Sequence, residues 1–185
     1  QLDIEGFRSL SKVSWVPGDL NVIIGPNGTG KSNLLRFMEL ISISAQGRLG
    51  KYIQSLGGMD PIVWDGVATA IKFAMETTPE GGELGPERYE LGLARLGAGS
   101  SYKVDKELLI NSHKLRRGVE RNPFKFLERV AKTAVIFDER EHTFTTPEEF
   151  VSDEESLLSI ASGPFISNNY IPPFQRWLSS IAVYH

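Results

Sequence analysis

The sequence predicts an α/β fold: a strand, a glycine loop and a helix, followed by an antiparallel β-rich stretch. Three observations predict it. A short apolar run, Leu20 to Ile24, leads directly into Gly25-Pro26-Asn27-Gly28-Thr29-Gly30-Lys31-Ser32. From Lys31 to Ala45 the residues Leu34, Leu35, Phe37, Met38, Leu40, Ile41 and Ala45 fall at helical spacing on one wide face. Further along, short β-rich runs alternate with glycine- and proline-rich turns.

In chain order, Leu2 to Phe7 alternates with period two and reads as a strand. Pro17-Gly18-Asp19 is a turn signal, and Leu20 to Ile24 is apolar enough for a strand covered on both faces. The helix over 31–45 follows. Ile62-Val63-Trp64, Ala70 to Met75, Tyr89 to Leu96 and Tyr102 to Ile110 read as strands of a meander, which Ala134 to Phe137 and Thr143-Phe144 extend. Turns are expected at Thr77 to Gly82 and at Gly97-Ala98-Gly99. A helix starting near Pro147 or Asp153 runs to Ile160, another follows Pro172-Pro173 through Leu178, and Ser180 to His185 reads as a return strand. The division is 1–50 as loop-bearing core, 51–150 as β-rich insertion and 151–185 as helical segment with return strand. The first residue is Gln1 and the last run looks like a buried strand, so we expect the amino-terminal part of one domain, incomplete at its C-terminus.

Composition excludes several classes. Hydrophobic residues make up 41% and charged residues 23%, which is ordinary for a folded domain. Twenty basic residues against 23 acidic ones give a net charge of -3, unlike a surface devoted to nucleic acid. Charge is uneven: His113 to Lys132 is net +5 and Asp138 to Glu155 net -7, both read foremost as solvated faces. No cysteine is present, so disulfides, a thiolate nucleophile and Cys-ligated metals are excluded. His113, His142 and His185 form no ligand pair at metal-binding spacing. No apolar run is long enough to span a membrane, and a cytoplasmic location is expected.

The glycine loop carries the chemistry. It matches G-x-x-x-x-G-K-[ST], in which glycines let backbone N–H groups converge on phosphate oxygens. The following helix turns its positive end toward the same anion. Lys31 would reach the β- and γ-phosphates, and the Ser32 hydroxyl would ligate Mg²⁺.

Ile4-Glu5-Gly6-Phe7-Arg8-Ser9-Leu10, with Asn21 to Leu35, resembles the amino-terminal lobe of ABC-type ATPases, closest to the SMC/RecF-like group and the predicted AAA-type ATPases related to RecF. Weaker likenesses are Gly57-Gly58, Trp64-Asp65-Gly66, Ile71-Lys72-Phe73 and Glu155-Ser156-Leu157-Leu158-Ser159. The resemblance implies a P-loop NTPase fold with an antiparallel β insertion, and Mg²⁺-ATP as ligand. It also implies a nucleotide-dependent homodimer, in which two heads sandwich two ATP molecules between one head's Walker A loop and the other's signature motif. Gly25, Asn27, Gly28, Thr29, Gly30, Lys31, Ser32 and Asn33 become nucleotide-binding candidates, Ser32 the metal ligand, and Arg8 a nucleotide-facing residue.

No Ser-Gly-Gly signature is present, and the Walker B look-alike is Val135-Ile136-Phe137-Asp138-Glu139. Asp138 and Glu139 are therefore catalytic candidates, although Arg140-Glu141-His142 follows where a proline is expected; the favoured reading is an antiparallel strand with outward charges. Gln46 and Gln54 are the glutamines available for a Q-loop. Asn111-Ser112-His113-Lys114 is no guanine-recognition motif, the β-rich insertion argues against a small-molecule kinase lid at Arg116, Arg117 and Arg121, and no nucleophile elbow supports a Ser-His-Asp triad. The expected function is ATP hydrolysis once signature and Walker B motifs complete the head. The alternative is a nucleotide-gated protein- or DNA-interaction module without turnover of its own.

Overall fold

Alternating strands with one apolar face need a second layer to cover that face, and helices supply it. The computed structural model of the chain describes residues 1–77, 88–97, 100–111, 123–147, 152–161, 163 and 167–184. Eight strands form one sheet: β1 (Leu2–Phe7), β2 (Leu10–Trp15), β3 (Ala70–Glu76), β4 (Arg88–Arg95), β5 (Tyr102–Asn111), β6 (Phe124–Val130), β7 (Thr133–Asp138) and β8 (Thr143–Thr145). Their order is β2-β1-β3-β4-β5-β6-β7-β8, and every pairing is antiparallel. The described residues also form four α-helices: α1 (Lys31–Ala45), α2 (Leu49–Ser55), α3 (Leu157–Ile160) and α4 (Ile171–Ser179).

The core lies between one sheet face and the helices. Ile4, Ile71, Phe73, Tyr89 and Leu91 meet Phe37, Leu40 and Ile41 of α1 and Phe174 and Leu178 of α4, all buried. Edge-to-face rings run through this layer: Phe7–Phe37 at 5.1 Å, Phe37–Phe73 at 5.6 Å, Phe73–Tyr89 at 5.6 Å and Tyr89–Phe174 at 5.7 Å. Each such contact adds about 0.5–1.5 kcal/mol beyond the area it buries. The opposite face is charged, with Lys106 on Glu90 at 2.7 Å and Lys72 near Glu5 at 3.7 Å.

A buried polar seam ties the 152–158 stretch to the sheet. Glu107 of β5 accepts the Leu157 and Leu158 amides at 2.6 and 2.8 Å, the Tyr89 hydroxyl at 2.9 Å and the Ser156 hydroxyl at 3.0 Å. Arg129 of β6, itself buried, donates to the Glu155 and Ser152 carbonyls. The Glu155 carboxylate in turn caps α2, accepting from Leu49 and Gly50 at 3.0 Å each.

Several expectations change. Leu20 to Ile24 forms no strand. Leu20, Val22 and Ile24 are 86%, 78% and 87% exposed, because no described strand lies beside them to pair with. Ile181 to Tyr184 likewise carries no strand, so the expected return strand is absent from the described residues. Ile62-Val63-Trp64 yields only a bridge from Val63 to Phe7, after which Trp64–Gly66 is a short 3-10 turn. The helix from Pro147 or Asp153 shortens to α3. Strands β2 and β6 and helix α2 were not foreseen. The sheet runs continuously through β1, β2 and β3, across the boundary drawn near residue 50. Residues 78–82 of the first expected turn, 98–99 of the second, and 112–122, which hold Arg116, Arg117 and Arg121, lie outside the described residues.

Candidate functional site

The glycine loop has its expected neighbour on one side only: α1 begins at Lys31, but the preceding run is unpaired. Gly30 is the N-cap residue, at φ 95° and ψ 5° in the left-handed region that glycine adopts without cost. A Cβ there would stand 2.6 Å from Ser9 Oγ and 3.3 Å from Leu10 Cδ2, so glycine is required by contact as well. Gly28, at φ 86°, has open space around it and is required only by its backbone.

The loop closes on its own lysine. Lys31 Nζ donates to the carbonyls of Gly25 at 2.6 Å and Pro26 at 2.7 Å, and Thr29 Oγ1 donates to Pro26 at 2.9 Å. The Gly30 carbonyl accepts the Asn33 and Leu34 amides at 2.9 and 3.0 Å. No side chain caps the helix, and its first turn contains no acid. Its positive end is therefore left to an external anion. Ser32 is exposed at this end, and Asn27 stands exposed on the loop.

The β1–β2 turn abuts the loop. Asn33 Nδ2 donates to Ser9 Oγ at 2.8 Å, fixing the turn to the first turn of α1. Arg8, in the same turn, has φ 47°; its amide donates to Ile62 at 2.8 Å, and its guanidinium lies 5.9 Å from the Phe7 ring centroid. Arg8 Nε is buried without a partner among the described residues. Burial, and then the nearby charge of Arg36, hold the Arg8 guanidinium below its usual value. Ser9 at the loop, and Arg36 and Tyr52 within electrostatic reach of Arg8, carry no local sequence signal of these relations beyond the Phe7-Arg8-Ser9 likeness.

These features fit a nucleotide. The glycine at the Ser9 contact keeps the loop free of side chains, an ammonium and an acid-free helix end converge on it, and an orphaned guanidinium nitrogen stands alongside. The Ser32 hydroxyl is an oxygen donor of the kind Mg²⁺ takes.

Asp138 and Glu139 are not brought to this place. Asp138 ends β7 and Glu139 follows it, five strand positions from β1, or about 24 Å of sheet width. Asp138 is buried, not outward-pointing, and its Oδ1 accepts the Arg140 and Glu141 amides at 2.8 and 3.0 Å. The Glu141 amide foremost holds its carboxyl below the ordinary range. Glu139 is engaged by the Asn169 amide and side chain at 2.9 and 2.8 Å. Both carboxylates therefore serve turn and loop contacts in this arrangement, an outcome their spacing in sequence does not reveal. Gln46 closes the end of α1 on Ser42 Oγ and the Ser179 carbonyl, while Gln54 is exposed on α2. Among the described residues no cluster of three or more His, Asp or Glu could hold a metal. No helix among them is long and apolar enough to cross a membrane.

A phosphate-type loop at the head of a helix, packed on an α/β layer, is the mark of an AAA-type P-loop ATPase domain. The chain belongs to the family described as "AAA domain, putative AbiEii toxin, Type IV TA system", whose model matches residues 20–176. No curated protein matches the chain. Membership gives it the α/β fold of P-loop NTPases and a nucleotide-binding character. Such folds ordinarily carry a parallel sheet, whereas the sheet described here is antiparallel; the run that leads into the loop is the one left unpaired.

Proposed function

We propose that the chain binds Mg²⁺-ATP through the loop Gly25 to Ser32 as part of an SMC/RecF-like, ABC-type ATPase head. In this reading Lys31 leaves the Gly25 and Pro26 carbonyls for the β- and γ-phosphates. Ser32 holds Mg²⁺, and Asn27, Gly28, Thr29, Gly30 and Asn33 shape the cradle. The observation that carries it is the loop itself, closed around Lys31 at the uncapped end of α1 in a chain of AAA family membership. Residues 1–50 would form the loop-bearing core, 51–150 an insertion and 151–185 the closing segment of one ATP-binding domain in the cytoplasm.

Hydrolysis in this reading needs a signature motif and a Walker B pair, with a second head across the nucleotide. The unpaired, exposed Leu20 to Ile24 supports a head that further strands complete. A second reading, nucleotide-gated binding without turnover of its own, is favoured by Asp138 and Glu139 being engaged far from the loop. One experiment addresses both: equilibrium ATP binding and steady-state turnover of the chain, with Lys31→Ala as the blank. ATP binding that Lys31→Ala weakens about 10- to 100-fold, with little turnover, is expected. Wild-type affinity in Lys31→Ala would overturn the loop assignment. Lysine-dependent turnover at an appreciable rate would reject the need for completion.

A further inference from the structure

Arg36 lies on α1 five residues beyond Lys31, about 7.5 Å along the axis. Helical geometry leans its side chain back toward the first turn, over the face that carries Ser32 and Asn33. It is exposed, and no hydrogen bond or ion pair engages it among the described residues. Asn33, one turn back, reaches Ser9 at 2.8 Å, which sets this part of α1 against the β1–β2 turn that carries Arg8, and the charge of Arg36 is the second cause, after burial, that lowers the Arg8 guanidinium.

Glu39 stands three residues along the same helix. Its carboxylate accepts the Tyr52 hydroxyl at 3.0 Å, and the Tyr52 phenol is pushed up to about 12, by burial first and then by Glu39. A guanidinium with a buried N–H left unpartnered, in the field of a second guanidinium, is a costly arrangement that an anion would relieve. The backbone that carries Arg8 is held in place, because Ser9 is tied to Asn33 and the Arg8 amide to Ile62.

We propose that Arg36, together with Arg8, clamps the α-phosphate of the bound nucleotide, while the loop and Lys31 take the two outer phosphates. The nucleoside then lies over the β1–β2 turn, on the side of Arg8 and Tyr52. This rests on the nucleotide reading above and adds Arg36 to it as the residue that separates a nucleotide from a bare pyrophosphate.

The test is calorimetric titration of Mg²⁺-ATP and Mg²⁺-pyrophosphate into wild type, Arg36→Ala, Lys31→Ala and Lys51→Ala. Lys51 is an exposed residue of α2, and its variant controls for the loss of one positive charge. Arg36→Ala should weaken ATP about tenfold or more, as expected for a charge-assisted contact, and leave pyrophosphate within about twofold of wild type. Lys51→Ala should match wild type for both ligands. Unchanged ATP affinity in Arg36→Ala, an equal loss for both ligands, or the same loss in Lys51→Ala would each overturn the clamp. If Lys31→Ala weakens ATP binding while Arg36→Ala does not, the clamp alone fails. If wild type does not bind ATP, or Lys31→Ala binds as wild type does, the nucleotide reading fails and the clamp with it.

Discussion

Gly30 shows how much one residue constrains the loop. Its left-handed backbone opposes a side chain, and so does Ser9, whose Oγ would stand 2.6 Å from a Cβ added there. Gly30→Ala should therefore destabilise the chain by about 1–3 kcal/mol, read by urea unfolding, and loosen nucleotide binding. Gly28→Ala meets no neighbour and should cost less; equal losses at the two positions would show that the Ser9 contact is immaterial. At Lys31 the two carbonyl bonds of the ammonium are solvent-exposed, so Lys31→Ala should cost ATP affinity more than stability. A loss of about 10- to 100-fold is expected in titration, with the melting midpoint little changed.

Among the elements, the stretch that ends in α3 depends on one buried carboxylate. Glu107→Ala would leave two amides and a phenol without their acceptor and should cost about 3 kcal/mol or more in denaturant unfolding. Burial raises Glu107 above its ordinary value of 4.5, so the folded chain holds that proton more readily than the unfolded one. Its contribution to stability is then fully present below 4.5 and is lost as pH rises through the folded value. The unfolding free energy of wild type minus that of Glu107→Gln should therefore fall as pH rises above 4.5. A flat difference would reject the assignment. Elements of this kind were legible unevenly. Helix α1 was read to its ends because its apolar stripe is long and strictly periodic. Strands β3, β4, β5 and β7 were read within a residue or two from their alternation. By contrast, β2 carries only Leu10, Val13 and Trp15 as apolar residues, and β6 is embedded in a basic stretch, so neither announced itself. Helix α2 is capped from afar by Glu155, a partner more than a hundred residues away that no local pattern shows.

For the whole molecule, the loop motif was plain in the sequence because its glycines and lysine have fixed offsets, while the surroundings of the loop were not. Nothing local shows that Ser9 and Arg8 meet the start of α1, since that contact depends on the β1–β2 hairpin. Asp138 and Glu139 were candidates because an apolar run ending in two acids can deliver them to a metal. Strand order decides the matter, and it places them near the far edge of the sheet. The ring contacts that join β1, α1, β3, β4 and α4 make the layer one packed unit. Phe37→Ala, which interrupts two of those contacts at a fully buried position, should cost about 3–5 kcal/mol and unfold sheet and helices in one transition. Separate transitions by far-ultraviolet and near-ultraviolet circular dichroism would show instead that the helices are held independently.

The unpaired stretch from Leu20 to Ile24 has a practical consequence. A protease that cuts before large aliphatic side chains needs an extended, unpaired backbone, and among the described residues this stretch offers one immediately ahead of the glycine loop. Thermolysin should therefore nick the native chain there before it reaches the ring-packed layer. A nucleotide seated on the loop next door should slow that nick, turning the time course of one cleavage into a readout of occupancy.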